Sequence, residues 1–252
     1  TQLASFDCVD SRERAIGITR ELSKYTDIAL IYSDTTPQGR ARKWILEDDS
    51  LQLCPEANNL AQRYALAVLY FSTSGDEWFS CSRGSDTNFC MQGNQFRSDG
   101  RLSTPRSVFL SGDYECEWGG VICHSDGRVA QIRLEKNNLR GTLPSEISAF
   151  VALESLALEN GSISGTIPSA IGSLVHLEEL DLNVNRFIGS LPSELSNLLS
   201  LRVLDVDTNQ LIGGIDVLSS LTNLRYIQLH NTGIGGTVPS SLGRLVNLIG
   251  FF

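Results

Sequence analysis

Apolar residues recur with a fixed period in the second half of the chain. Apolar positions that open a repeat follow one another at intervals of 24, 24, 24, 23 and 24 residues: Val129, Leu153, Leu177, Leu201, Leu224 and Leu248. Each of the five complete repeats begins with L-x-x-L-x-L or a close apolar variant, so alternate residues of a short strand point inward. One repeat cannot bury its own apolar face, and the copies are therefore expected to stack into a solenoid with parallel strands.

The turn after each strand carries a second pattern. One position of this turn is asparagine in three repeats, at Asn137, Asn185 and Asn209. The same position is Gly161 in the second repeat and Thr232 in the fifth. Burying an asparagine costs free energy when its amide has no hydrogen-bond partner. In a stack of repeats the amide can hydrogen-bond the backbone of a neighbouring repeat. Most repeats then read apolar-x-Gly-x-apolar-Pro, as in Leu139 to Pro144, whereas the fourth departs with Leu211 to Asp216. The pattern predicts a tight turn stabilised between copies.

Three helices are predicted before the repeats. They run from Ser11 to about Tyr32, from Thr36 to near Asp49, and from Pro55 to the turn at Gly75. Each begins at a residue typical of helix starts and carries apolar side chains three and four residues apart. Aromatic stripes at this spacing favour core packing over a cofactor site.

All six cysteines lie in the first half of the chain, at Cys8, Cys54, Cys81, Cys90, Cys116 and Cys123. An even number confined to one region favours disulfides in an oxidising compartment, with reduced cysteines as an alternative. A zinc site is disfavoured because no C-x2-C pair is present. Local spacing pairs Cys116 with Cys123 and Cys81 with Cys90, which leaves Cys8 with Cys54.

The repeat and the segment before it resemble the plant-type extracellular leucine-rich repeat family. Residues 124–252 match L-x-x-L-x-L-x-x-N-x-L-x-G-x-I-P, and Cys116 to Cys123 match the cap motif C-x-W-x-G-V-x-C. The resemblance implies an α/β fold: a right-handed leucine-rich repeat solenoid with a parallel concave sheet and a helical, disulfide-bonded N-terminal cap. We therefore expect a capping domain at residues 1–123 and leucine-rich repeats at residues 124–252, with a sixth repeat truncated.

Both ends of the chain depart from a short family member. Residues 1–54 and the insert from Cys81 to Tyr114 exceed the common cap and resemble the extended caps of microalgal members. We expect this extension to cover the edge of the first repeat, since a solenoid end needs a polar cover. The chain stops at Phe252 inside a repeat, so we expect the native polypeptide to continue, with a membrane anchor as one form of that continuation.

The net charge, the length of the apolar runs and the histidines limit the classes of function that the chain can have. The 252 residues include 20 Lys and Arg against 29 Asp and Glu, a net charge of −9, which disfavours nucleic acid and anionic membranes as partners. The longest apolar run, Tyr64 to Phe71, falls far short of the roughly 20 residues of a spanning helix. The only histidines are His124, His176 and His230, and none has an evident catalytic partner in the sequence. We expect no catalytic residues, metal or cofactor.

The solvent-facing strand positions give the best candidate ligand surface. Five of them form what we call the acidic patch: Glu159, Glu179, Asp181, Asp205 and Asp207. Tyr226, Gln228 and His230 border the patch on the next strand. Because neighbouring strands lie about 4.8 Å apart, the carboxylates should be continuous across the concave face. The patch predicts docking of a cationic or polar partner, with a calcium site or ordinary solvated surface as the alternatives.

Asn160, Gly161 and Ser162 form the only glycosylation sequon of the chain. In an oxidising compartment the sequon is usable, and a glycan at Asn160 would stand at the rim of the concave face. The alternative is an unmodified Asn160 that acts as a turn residue, displaced by one position because Gly161 replaces the usual asparagine.

The leading hypothesis is a non-enzymatic recognition domain on the outside of the cell, the ectodomain of a receptor-like or adhesion protein that binds a protein, peptide or glycan. The alternative is a secreted inhibitor of a cell-wall polysaccharide hydrolase, as the resemblance also implies. An enzyme forms the third class, and the missing catalytic groups disfavour it.

Overall fold

The amino-terminal region is helical, although its first helix is shorter than predicted. The computed structural model describes residues 10–84, 90 and 106–252. Helix α1 spans Ser11–Leu22 and α2 spans Ile28–Ile31. The prediction of one helix to Tyr32 is therefore wrong. In the turn between the two helices, Thr26 donates a hydrogen bond to Glu146 at 2.6 Å, and Asp27 caps α2 by accepting from the Ala29 N–H.

The second predicted helix is confirmed from its cap at Thr36 to Asp48, whereas the third begins later than predicted. Helix α3 spans Pro37–Lys43 and begins at the predicted cap, Thr36, whose hydroxyl accepts from the Gly39 N–H at 3.0 Å. It continues as a π-helical turn at Trp44–Asp48. Helix α4 spans Leu60–Ser72, starting five residues after Pro55, and nearly all its side chains are buried. This helix is the centre of the cap.

Two of the predicted disulfides are confirmed. Cys81 pairs with Cys90 and Cys116 pairs with Cys123, with Cα–Cα distances of 4.4 Å and 5.5 Å. Cys54 is also disulfide-bonded. Its predicted partner, Cys8, lies outside the described residues, as do residues 85–89 and 91–105 of the predicted insert. Short 3-10 turns at Gly75–Glu77 and Glu115–Glu117 lead into these disulfide-bonded segments.

Seven short strands form the concave sheet in the described part of the chain. They are β1 Val121–Cys123, β2 Val129–Arg133, β4 Ser155–Ala157, β6 Glu179–Asp181, β8 Val203–Asp205, β10 Tyr226–Gln228 and β12 Gly250–Phe251. The cap strand β1 is antiparallel to β2, and all later neighbours are parallel. The register places equivalent residues of successive repeats side by side, as the period predicts.

A second sheet lines the other side of each turn. It contains β3 Arg140–Thr142, β5 Ser162–Gly165, β7 Arg186–Gly189, β9 Gln210–Gly213 and β11 Gly233–Ile234, in that spatial order. Each repeat then closes with a 3-10 turn: Ser145–Ala149, Ser169–Ser173, Ser193–Asn197, Asp216–Ser220 and Ser240–Arg244. In four repeats a proline directly precedes this turn. The fourth repeat keeps the turn without a proline, because its turn starts at Asp216 and follows Ile215.

Asparagine side chains link the backbones of neighbouring repeats, as predicted. Asn185 donates to the carbonyl of Leu158 at 2.9 Å and accepts from the Ile163 N–H at 3.0 Å, both in the preceding repeat. Asn209 bonds the third repeat in the same way. Asn137, in the first repeat, instead bonds the backbone of Ser80 in the cap.

One hydrophobic core runs from the helices into the solenoid. Buried apolar side chains from Ile18 in α1 to Leu245 in the last turn belong to a single cluster. Among the described residues, no helix has both the length and the apolar character needed to cross a membrane. The cap and the repeats therefore hold the concave sheet on a continuous apolar support.

Candidate ligand-recognition surface

Three rows of outward-facing side chains cross the concave sheet. The first row is Gln131, Ser155, Glu179, Val203 and Tyr226, and the second is Arg133, Ala157, Asp181, Asp205 and Gln228. The third is Glu135, Glu159, Asn183, Asp207 and His230, which follow the strands where backbone hydrogen bonds between repeats continue. The rows exist because alternate strand residues face outward while the leucines between them are buried.

Basic residues neutralise the amino-terminal side of the acidic patch. Arg133 reaches across β4 to Glu179 with an N–O distance of 2.7 Å, and Ser155 donates to the same carboxylate oxygen at 2.7 Å. Lys136 pairs with Glu159 at 3.2 Å. Two of the five carboxylates are therefore already paired with cations.

The central carboxylates have no such partner. Among the described residues, Asp181 and Asp205 form no salt bridge. Burial is the main cause that raises the pKa of Asp181 to about 7, and the charges of Asp205, Glu159 and Glu179 add to it against a hydrogen bond from the Asn183 N–H. Burial likewise raises the pKa of Asp205. The centre of the patch is thus an environment in which a carboxylate charge is poorly compensated.

Polar neighbours hold the carboxyl-terminal side in place. Asp205 accepts hydrogen bonds from Asn183 at 3.1 Å and from Gln228 at 2.7 Å. His230 lies 3.3 Å from the carboxylate of Asp207. Tyr226, with 41 % of its surface exposed, offers an aromatic face beside these groups. This side combines carboxylates held in place by hydrogen bonds with an accessible aromatic ring.

All eight predicted surface residues lie on the concave face, but they are not equally accessible. Asp205 and Asp207 are only 5 % and 7 % exposed, because neighbouring side chains bond to them. Arg133 and Asn183 lie at solvent-facing strand positions, as the strand pattern predicts, but neither they nor Lys136 were predicted as ligand-binding residues, although Arg133 and Lys136 pair with patch carboxylates and Asn183 donates to Asp205. Arg133 and Asn183 share rows with the acidic residues, and Lys136 directly follows Glu135 of the third row, so their positions in the sequence could have identified them.

The histidines and carboxylates show no catalytic or metal-binding arrangement in the described residues. His230 has Asp207 as a partner, yet no described serine, threonine or cysteine hydrogen-bonds its ring. His124 contacts the Ala152 carbonyl at 3.3 Å, and His176 is exposed. Among residues 10–84, 90 and 106–252, no group of three or more His, Cys, Asp or Glu side chains is placed to hold a metal ion.

Asn160 lies at the edge of this surface. It follows β4, is exposed, and adopts a left-handed backbone with φ of 56°. Its N–H donates to the Asn183 carbonyl at 3.0 Å, so the backbone is ordered while the side chain faces solvent. The position is suited both to a turn and to a modification.

Sequence comparisons identify known repeats within the solenoid. The family model described as Leucine Rich Repeat matches residues 176–198 and 223–245. A curated relative, a probable leucine-rich repeat receptor-like protein kinase of Arabidopsis thaliana, is 48 % identical over 40 residues, which is 16 % of this chain. The match spans only 4 % of that relative's length.

Solved structures with similar folds include leucine-rich repeat ectodomains of plant receptor kinases. The leucine-rich repeat ectodomain of SOBIR1 from Arabidopsis thaliana has a TM-score of 0.51 and 32 % identity, covering 54 % of this chain and 81 % of that one. The BIR3–SERK2 complex from the same plant gives 0.50 and 32 %, covering 55 % and 76 %. The GASSHO1/SCHENGEN3 ectodomain, also from Arabidopsis thaliana and in complex with CASPARIAN STRIP INTEGRITY FACTOR 2, gives 0.53 and 33 %, covering 55 % and 17 %.

Proposed function

Because this chain belongs to the plant-type extracellular leucine-rich repeat family, we propose that it is an extracellular or cell-surface recognition domain whose concave face binds a protein or peptide carrying basic side chains. Two of the similar solved structures are leucine-rich repeat ectodomains of receptor kinases, and one of these is in complex with CASPARIAN STRIP INTEGRITY FACTOR 2. Disulfides in the cap support an oxidising compartment. We retain the division into a capping domain, residues 1–123, and repeats, residues 124–252, as part of this proposal.

The uncompensated pair of Asp181 and Asp205 carries the proposal. These carboxylates lie side by side on β6 and β8, and no cation of the described residues pairs with them. A guanidinium or ammonium group placed between them would supply the missing opposite charge and favour their ionised forms. Since Glu179 and Glu159 already have cationic partners, the attraction for a cationic ligand is strongest at the centre of the acidic patch.

The neighbouring side chains indicate what else the ligand presents. Tyr226 is exposed two strands away from Asp181, and its ring can pack on an apolar or cationic group. With about 4.8 Å between strands, the two sites lie about 10 Å apart. That separation suits a peptide with a basic residue followed, a few residues later, by an apolar one, and it favours a peptide or protein over a neutral glycan.

The proposed activity is binding without turnover. The Asp207–His230 pair provides an oriented imidazole but has no nucleophile bonded to it in the described residues. The carboxylates of the acidic patch are engaged by Arg133, Lys136 and amide groups instead of being arranged around a reacting centre.

A peptide-binding experiment tests the proposal. The purified chain is titrated with an array of extended peptides in which arginine replaces citrulline at one position at a time. We expect arginine peptides to bind more tightly than their citrulline counterparts, and Asp181→Asn or Asp205→Asn to weaken the best of them about tenfold or more. Asp216→Asn, which removes an exposed charge outside the concave sheet, is the matched control. Equal binding of citrulline and arginine peptides would contradict the proposal.

The inhibitor hypothesis has its own test. A panel of cell-wall polysaccharide hydrolases is assayed with and without the chain. Under the proposed recognition role every enzyme keeps its activity, whereas saturable inhibition of one enzyme would favour the inhibitor role.

A further inference from the structure

We call the turn position occupied by Asn137, Gly161, Asn185, Asn209 and Thr232 the ladder position. The residue just before it has the same unusual backbone in every complete repeat. Lys136, Asn160, Val184, Thr208 and Asn231 all have positive φ, between 47° and 56°. Asparagine tolerates this left-handed conformation better than most residues. The backbone at Asn160 therefore explains why an asparagine fits there, but leaves the role of its side chain open.

The ladder position itself differs in the second repeat. Asn185 and Asn209 occupy it in the next two repeats and are buried. In the second repeat it is Gly161, where a Cβ atom would lie 2.8 Å from Oδ1 of Asn185 and 3.1 Å from the Leu139 carbonyl oxygen. A side chain at 161 is thus disfavoured, and the asparagine of this repeat stands one residue earlier. The shift takes its amide from the buried ladder to solvent.

We propose that Asn160 carries an N-linked glycan, an inference that rests on the proposed extracellular location. Its amide is exposed and makes no hydrogen bond to any described residue, in contrast to the ladder asparagines. Ser162, two residues later, completes the acceptor sequence at the start of β5. The amide group of Asn160 is therefore not needed by the fold and can accept a bulky substituent.

The modification is a substitution at a sugar carbon. Nδ2 of Asn160 bonds to the anomeric carbon of an oligosaccharide linked to a lipid diphosphate. The bond from that carbon to the diphosphate oxygen breaks, the amide loses one proton, and the lipid diphosphate leaves. No oxidant or reductant takes part.

The glycan would restrict one approach to the concave face. Asn160 directly follows Glu159, whose carboxylate pairs with Lys136 at 3.2 Å. A glycan there stands beside this ion pair, at the end of β4, and leaves Tyr226 three strands away uncovered. Ligands are then expected to reach Asp181 from the side of the carboxyl-terminal repeats.

Secretion from a eukaryotic cell tests the proposal. Peptide mapping by mass spectrometry is expected to find a glycan on residue 160, removable by a glycosidase. Asn160→Gln and Ser162→Ala should abolish the mass increase, while Ser162→Thr should keep it. Asn231→Gln is the matched control, because Asn231 shares the left-handed backbone but has Gly233 two residues later and forms no sequon.

Two outcomes would overturn the proposal: an unmodified Asn160 in the secreted chain, or a mass increase that persists in Ser162→Ala. If a variant is not secreted, the same mapping is done on the microsomal fraction. Binding of arginine peptides to Asn160→Gln tests the proposed function separately, since that measurement does not depend on the glycan.

Discussion

Arg63 of α4 and Asp49 form a bidentate ion pair with both side chains fully buried. The two N–O distances are 2.7 Å and 2.8 Å, and neither side chain has exposed surface. Glu115 adds a third contact at 3.1 Å. The guanidinium lies 5.0 Å from the ring centroid of Trp44 and 4.8 Å from that of Trp118. This cluster ties the amino-terminal extension to the cap motif.

Loss of the Asp49 charge should destabilise the whole cap. Asp49→Asn leaves Arg63 with a single carboxylate in a buried site, and we expect the free energy of unfolding to fall by about 3 kcal/mol. Urea denaturation followed by circular dichroism measures the change. Glu47→Gln is the control, because its pair with Lys43 is exposed and 4.0 Å long. That variant should lose less than about 1 kcal/mol, and equal losses would refute the role of the cluster.

The asparagine ladder gives a second prediction. Asn185→Ala leaves the Ile163 N–H and the Leu158 carbonyl without their partner inside the solenoid. We expect a loss of about 3 kcal/mol in thermal or urea unfolding. Asn223→Ala removes one exposed hydrogen bond, to the Leu199 carbonyl at 2.8 Å, and should lose less than about 1 kcal/mol. A small effect at both positions would mean that the ladder contributes little.

The third prediction concerns the space beside a disulfide. A Cβ atom on Gly119 would lie 2.2 Å from Sγ of Cys81 and 2.3 Å from Sγ of Cys90. Gly119→Ala should therefore cost about 1–3 kcal/mol through overpacking. Gly84→Ala, where nothing lies within 4 Å of the added carbon, serves as the control and should unfold like the wild type. An unchanged melting temperature for Gly119→Ala would show that the disulfide can move aside.

Stability should fall with rising pH because of Asp181. Burial raises its pKa to about 7, above the usual value of about 3.9 in an unfolded chain, so the native state binds more protons between these values. The free energy of unfolding is then expected to decrease as the pH rises from about 4 to about 7. Asp181→Asn, which stays neutral, should flatten this decrease and melt above the wild type at neutral pH. Glu56→Gln, an exposed change, should keep the wild-type slope.

Ligand binding should respond to pH in the opposite direction. An arginine side chain beside Asp181 favours the ionised carboxylate, so the affinity for an arginine peptide is expected to rise as the pH increases through about 7. Titrations of one arginine peptide at pH values on both sides of 7 measure the change. In Asp181→Asn the rise should shrink, and an unaltered pH profile in that variant would assign the dependence to another group.

Local patterns failed at the ends of the first and third predicted helices. The first predicted helix continues to Tyr32 on spacing alone, yet α1 ends at Leu22, and Thr26 in the turn that follows donates a hydrogen bond to Glu146, 120 residues away. The helix predicted from Pro55 begins at Leu60, because residues 54–60 form two successive turns, closed by hydrogen bonds from the Ala57 N–H to the Cys54 carbonyl and from the Leu60 N–H to the Ala57 carbonyl. The repeats were easier to predict, because every repeat has the same alternation of inward-facing and outward-facing side chains. Each repeat also packs against the repeat that follows it in the sequence.

The sequence by itself determined the repeat period, the two nearby disulfides and the face on which each concave side chain lies, because these depend on alternation and on contacts one repeat away. Only the tertiary structure decided which carboxylates are neutralised. Arg133 reaches Glu179 across β4, 46 residues along the chain, and so leaves Asp181 and Asp205 without a cation among the described residues. Charge compensation depends on distances of a few ångströms and on burial, and neither is written in the order of the residues.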